Sequence, residues 1–247
     1  MKVSKGYVLP MLLIIALGAI GFGYAWWTEQ LVINPGTVNT GDLNVKIVAT
    51  GTQWGGPGMP LWQPLYFHIK ASNVTASWDL SKEIYNPPCP PGAWAGNTLT
   101  ITIGNLYPHG YTQVGISFPV INIGTIPAKL ESVVLTVTSG SELVPYLKYY
   151  FGVKHYSARN ATGHRTLLWS YFTGGESVPF KDFDELDDEL YSALSGRVLM
   201  PDEVFSFDGE EGEEGSIGFR LIGTTPNEFE GKSITFTLTF NFKQWNA

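Results

Sequence analysis

The sequence predicts an all-β protein of two packed sheets with one short inserted helix. Three observations carry that prediction. Near the C-terminus Ile234, Phe236, Leu238, Phe240 and Phe242 alternate with Thr235, Thr237, Thr239 and Asn241, the two-residue period of a strand with one buried face. Leu99, Ile101 and Ile103 alternate in the same way with Thr98, Thr100 and Thr102. Only 15% of residues are charged while 44% are apolar, and 28 glycines and 16 prolines punctuate the chain. That balance suits short strands joined by turns, with no alternation of strand and helix that would signal a parallel sheet.

Taken in order, the chain opens with an address. Lys2 and Lys5 precede an uncharged apolar run over 8–22, and Gly23, Tyr24 and Ala25 place small residues where a signal peptidase cuts. Cleavage after Ala25 is the leading expectation. Two other uses of the run stay open: a retained anchor, since 7–27 approaches the ~20 residues a span requires, and a type IV pilin leader cut after Gly6. Leu43, Val45 and Ile47 then alternate with Asn44, Lys46 and Val48 as a half-buried strand, and Leu65, Phe67 and Ile69 with Tyr66, His68 and Lys70 as another. A Gly/Pro loop separates them over 51–64, and 71–96 reads as irregular because Pro87, Pro88, Pro90 and Pro91 forbid a regular element.

Further on, 115–123 reads as a strand whose Pro119 points to a sheet edge or a bulge. The stretch 122–127 is a connection, Val133, Leu135 and Val137 begin another strand, and the aromatic-rich 146–171 supplies one or two more. One helix breaks the pattern: Phe183, Leu186, Leu190 and Leu194 recur near the helical period. Asp182 with Glu185 resembles a capping pair, and Gly196 stands where a helix would stop. Its opposite face carries Asp184, Asp187, Asp188 and Glu189, read as solvated. No internal repeat or linker divides the rest.

Charge narrows the function. The net charge is −7, which argues against nucleic acid, since a phosphate backbone needs clustered Lys and Arg. Thirteen acidic residues against Arg197 alone fall within 182–214, leaving the remainder of the chain net positive. A solvated acidic loop is the simplest account. Glu210, Glu211, Glu213 and Glu214 are candidates for Ca²⁺, which takes several oxygens from one flexible segment, although they lack the spacing of a known Ca²⁺ loop. No other cofactor is expected. Cys89, the single cysteine, has no internal partner and fits no metal or redox spacing.

Catalytic motifs are missing from the sequence. His68, His109, His155 and His164 fall into no metal-binding spacing and read as surface or structural residues, and there is no nucleophile elbow and no phosphate loop. Asp187 and Asp188 are adjacent on a helix, so their carboxylates point apart. The chain is therefore read as a non-enzyme. Asn73 and Asn160 each begin an Asn-x-Thr sequon, which fits a secreted chain bearing surface glycans. Trp54, Trp62, Trp78 and Trp94 fall in segments read as irregular and support an alternative, a secreted glycan-binding module. Aromatic residues serve subunit interfaces equally well.

Four segments together resemble a known family: AWWTEQLVI (25–33) running into TGDLNV (40–45), then NLYPHG (105–110), FPVINIGTIPAK (118–129) and the closing FNFKQWN (240–246). The chain looks like the TasA/camelysin family of biofilm-matrix filament proteins and its archaeal relatives, the bundling pilins. The resemblance implies a jelly-roll sandwich, an extracellular or cell-surface filament of identical subunits with lateral bundling, and membrane contact only during export. Camelysin-type relatives are classed as metalloproteases, but this chain has no zinc motif and that activity is not carried over. The domain plan is a signal peptide over 1–25, an N-terminal donor strand over 26–36, and a sandwich over 37–247 with a helix-containing acidic insertion at about 176–215.

In a donor strand, one extended segment of a subunit joins the sheet edge of the next, gaining backbone hydrogen bonds and seating alternate side chains in pockets. Over 26–33 one face would carry Trp27, Glu29, Leu31 and Ile33, and the other Trp26, Thr28, Gln30 and Val32. Such a contact is heterologous and does not close, so repetition yields a fibre. The competing expectation is that these residues form the first strand of their own domain.

Overall fold

A computed structural model describes residues 41–49, 65–69, 73–80, 83–84, 94–108, 114–173, 180–208 and 216–246. The chain divides into two compact units, Met1–Thr40 and Gly41–Ala247, and the described residues all belong to the second. It is all-β, with two antiparallel sheets and one short α-helix.

The strands, in chain order, are β1 (Val45–Ala49), β2 (Tyr66–Ile69), β3 (Thr75–Leu80), β4 (Glu83–Ile84), β5 (Trp94–Gly96), β6 (Thr98–Leu106), β7 (Val114–Asn122) and β8 (Ala128–Ser139). There follow β9 (Leu147–Tyr156), β10 (Leu167–Phe172), β11 (Lys181–Asp182), β12 (Val198–Leu199), β13 (Val204–Phe207), β14 (Ile217–Leu221) and β15 (Lys232–Gln244). The helix α1 spans Leu186–Leu194. The first sheet runs β10-β9-β13-β7-β1-β5-β4, with β14 continuing the lane of β13 between β9 and β7 and with β2 also pairing with β7. The second runs β12-β8-β15-β6-β3.

These orders spell out a jelly roll. Within the second sheet lies β6-β15-β8-β12, and within the first β7-β13/β14-β9-β10. Those are the two interleaved four-strand orders made by a pair of Greek keys. Of the strands before β6, all of them outside the roll, β1 and β2 extend it along β7 and β3 along β6. The amino-terminal part of the sandwich is therefore built by adding strands to an already defined roll.

The expected strands are present with adjusted limits. Along β15, Ile234, Phe236, Leu238 and Phe240 are buried, and the threonines of its other face meet those of β6. Thr98 and Thr239 hydroxyls lie 3.0 Å apart, and those of Thr102 and Thr235 3.1 Å, so the outer face is a ladder of paired hydroxyls. Leu65 is buried and Phe67 packs on the core, but Ile69 ends β2 exposed, and β1 begins two residues after an exposed Leu43. The stretch 71–96 is not all irregular. Ala76, Trp78 and Leu80 of β3 face inward, and the strand pairs with β6 from Thr75↔Gly104 to Leu80↔Leu99. A six-residue alternation followed by four prolines was too short a signal beside them.

Pro119 corrects another expectation. It lies in the middle of β7, a central strand whose nine residues are all buried. On one side β1 pairs as far as Ile47↔Val120, and β2 resumes at Tyr66↔Ser117. Proline falls in the interruption between these two ladders, the place where a missing N–H is tolerated in an otherwise central strand.

The helix is where the period placed it. Phe183, Leu186, Leu190 and Leu194 are all fully buried, forming one apolar stripe. It seals the flank of the sandwich, packing on β8 and reaching β10 through a polar bond, while the turn before it reaches β9. Asp187 accepts from the Leu135 N–H at 3.1 Å, the Tyr149 hydroxyl donates to the Glu185 carbonyl at 3.3 Å, and the Tyr171 hydroxyl donates to Glu189 at 2.6 Å. Glu189 also takes Lys181 at 2.7 Å, so the face read as solvated is tied down in part. The capping pair does not form. Phe183–Glu185 is a 3-10 turn without a side-chain cap, and Asp182 instead pairs with Lys148, opposite it on β9. The helix stops at Leu194, before Gly196. Two more 3-10 turns, Ser141–Tyr146 and Asn227–Phe229, were not foreseen. Within the stretch read as an acidic insertion, β13 is a core strand buried at all four residues.

Candidate functional site: sheet edges and the fastened loop

Filament assembly by strand addition needs a segment to give and an edge to receive it. Trp26, Trp27, Glu29, Leu31, Val32 and Ile33 lie outside the described residues, as do Ala25 and the apolar run. Where the described chain begins, it is held firmly. The Asp42 carbonyl accepts from Thr125 N–H at 2.8 Å, and the Asn44 carbonyl from Ile123 and Gly124 N–H at 2.8 and 2.9 Å. Asp42 N–H donates to the Thr125 hydroxyl at 2.7 Å. Gly124 has no room for a side chain, since a Cβ there would lie 2.2 Å from the Asp42 carbonyl oxygen. Asn122, fully buried, fixes this connection by donating to the Ile126 and Leu199 carbonyls, both at 2.8 Å, and accepting from Gly124 N–H at 3.0 Å. Residues 42–44 are thus fastened to the connection that follows the central strand β7.

Two edges of useful length stand out. Among the described residues β10 pairs only with β9, and β3 only with β6. Leu167 and Leu168 at the start of β10 are 50% and 52% exposed, an unusual pair of aliphatic side chains on a sheet edge. An open cavity of about 280 Å³ lies between Leu43, Asn44 and Lys46 on one side and Phe240 and Phe242 of β15 on the other.

A polar cluster fastens the loop between β9 and β10. Arg159 and Arg165 converge on Asp202: Arg159 Nε and Nη2 donate at 3.0 and 2.9 Å, and Arg165 Nη2 at 2.9 Å. Arg165 Nη1 also donates to the carbonyls of Ser157, at 2.8 Å, and of Asp202. Burial favours the neutral Asp202 acid, but the Arg159 hydrogen bonds and the Arg165 charge outweigh it and hold the carboxyl below its ordinary range. Beside them His155 sits against Phe205, its Nε2 3.0 Å from Glu203.

His155 predicts a pH response. Burial, the largest cause, lowers its pKa, although Glu203 pulls the other way. The folded protein therefore takes up the proton less readily than the unfolded chain, whose histidine titrates near ~6.5. Stability is expected to be level above that pH and to fall as the pH drops below it, until the folded histidine titrates too. Melting curves between pH 8 and 5 should show that decline, and His155→Gln should flatten the part between 6.5 and 5. An unchanged slope in the variant would exclude His155 as its source.

The remaining sequence candidates distribute as follows. Asn73 and Asn160 are both exposed at turns. Glu210, Glu211, Glu213 and Glu214 lie outside the described residues, as do Cys89, Trp54, Trp62 and His109. Asp208, immediately before that acidic segment, is mostly buried, and burial raises its pKa despite Lys154 at 3.5 Å. No group of three metal-ligating side chains occurs among the described residues. His68 contacts the Ser117 hydroxyl at 3.2 Å. Trp78 is not a loop platform, because it lies in β3 and packs on the core. Trp94 begins β5. Among the described residues no helix is long and apolar enough to cross a membrane.

The architecture defines a jelly-roll sandwich extended by added strands, in which β3 and β10 each have one partner strand among the described residues. No protein family, curated protein or solved structure compared with the chain matches it.

Proposed function

We propose that this protein is a structural subunit of an extracellular filament, polymerising when residues 26–33 of one copy add as a strand to a sheet of the next. The observation that carries this reading is the division of the chain after Thr40. The segment with the alternating apolar anchors, 26–33, lies on the amino-terminal side of that division. Three features agree with it: the firm anchorage of residues 42–44, the sandwich's own use of strand addition outside the roll, and the edges β3 and β10, each with one partner strand among the described residues.

Energetics favour an extended donor. Each added residue pair supplies backbone hydrogen bonds worth about 0.5–1.5 kcal/mol apiece net. A buried Leu, Ile or Val anchor adds about 1.5–3 kcal/mol. Two tryptophans and three aliphatic residues within eight positions are the anchors that offset the cost of ordering the segment. Deleting residues 26–34 from the mature protein is expected to leave folded monomers by light scattering and no fibres by electron microscopy. Fibres formed by the truncated protein would defeat the proposal.

A further inference from the structure

We infer that Asn160 is a site of N-linked glycosylation and that the Thr162 hydroxyl prepares its amide for the transfer. The inference rests on export of the chain, one part of the proposed function, and not on polymerisation. The sequon Asn160-Ala161-Thr162 occupies the tip of the loop between β9 and β10, and all three residues are exposed. Asn160 Oδ1 accepts three hydrogen bonds: from Thr162 Oγ1 at 2.8 Å, Thr162 N–H at 3.0 Å and His164 N–H at 2.9 Å. The backbone closes around it, with Asn160 N–H on the His164 carbonyl and Gly163 N–H on the Asn160 carbonyl, both at 2.9 Å. Gly163 makes the turn at φ 83°, a conformation that glycine adopts without strain.

This arrangement has a chemical consequence. A carboxamide nitrogen is a poor nucleophile because its lone pair is delocalised into the carbonyl. Three donors on Oδ1 stabilise negative charge on that oxygen, so an Nδ2 proton is lost more easily as the nitrogen attacks. Among the described residues no acceptor engages Nδ2, which leaves it available at the loop tip. The co-substrate is an oligosaccharide joined through phosphate to a lipid carrier. Nδ2 forms a bond to the anomeric carbon, the bond from that carbon to the phosphate oxygen breaks, the lipid phosphate departs, and one amide proton passes to a base of the transferase. No redox change is involved.

Rigidity distinguishes this sequon from the other one. The loop is clamped at its base by Ser157 N–H on the Thr166 carbonyl at 2.9 Å and by the two arginines on Asp202. Asn160 is therefore presented on a fixed platform. Asn73 is also exposed, but its sequon hydroxyl belongs to Thr75, which is held in the β3 ladder opposite Gly104. An extended Thr75 does not fold back on its own asparagine as Thr162 does.

Peptide mass mapping of protein purified from the cells that make it tests the assignment. Trypsin cuts after Arg159 and Arg165, so the sequon lies in a six-residue peptide, and the same digest reads the N-terminus. Peptide 160–165 is expected mainly as a sugar adduct. Thr162→Val is expected to bring the adduct below detection and Thr162→Ser to retain it, with circular dichroism confirming the fold of both. A bare peptide 160–165 in protein whose N-terminus is Trp26 would overturn the inference while leaving export standing. An adduct that survives Thr162→Val would overturn the role given to the hydroxyl.

Discussion

Replacing Phe236 by alanine should lower the unfolding free energy by about 3–5 kcal/mol, the range for deleting a phenyl ring from a packed core. Phe236 is fully buried in the middle of β15, between Ile101 on β6 and Val137 on β8. Its ring meets Phe183 edge-on with centroids 4.9 Å apart and Phe219 at 5.4 Å. Those partners come from the turn before α1 and from β14 of the opposite sheet, so one side chain joins both sheets and the helix. The cavity would open where three elements converge, with little freedom to collapse. Since a domain's whole stability is about 5–15 kcal/mol, the loss should be plain in the urea midpoint. Thr237→Ala, one residue along on the outer face, is the control and should cost under ~1 kcal/mol. Equal effects at the two positions would contradict the inward and outward faces of β15.

The second large effect is expected at Asp202. Its carboxylate is the common partner of Arg159 and of Arg165, whose side chain is only 6% exposed. Removing one partner of a buried pair leaves the other charge without compensation, at about 3–5 kcal/mol. Asp202 itself is about one-third exposed, so water recovers part of that, and Asp202→Ala should cost about 2–4 kcal/mol. Backbone adds to it, because Asp202 sits at φ 64°, a conformation that Asp and Asn accept more readily than Ala. Asp202→Asn should therefore be distinctly milder. Hydrogen exchange should locate the damage: amides over 157–166 and 200–203 should exchange faster, and those of β15 should not. Uniform acceleration would mean that the cluster supports the whole fold and not one loop.

Much of the fold was legible because its signal is local. The alternation in β15 and β6 survives in sequence because each buries one face against the core and leaves a threonine ladder outside. The α1 stripe was equally visible, since Phe183, Leu186, Leu190 and Leu194 are spaced by three and four residues. What misled were residues with two uses. Asp182 looked like a cap but serves the strand pair with Lys148, Glu189 looked solvated but binds Tyr171 and Lys181, and Pro119 looked like an edge marker but fills a gap between two ladders. The candidate site was legible only in its motif. The sequon at Asn160 can be read from three letters, whereas the hydrogen bonds on its Oδ1 depend on a turn set by Gly163.

By itself the sequence determined that this is an all-β protein with one helix, which faces of β6 and β15 turn inward, and that no familiar catalytic spacing is present. Those properties follow from the period of apolar residues and from fixed spacing along the chain. Tertiary structure alone decided the jelly-roll order, the central place of β7, and the convergence of Arg159, Arg165, His155, Asp202 and Glu203. The reason is physical: most pairing partners and the charge cluster depend on contacts between residues tens of positions apart, and no local period encodes which distant strand a given strand will meet.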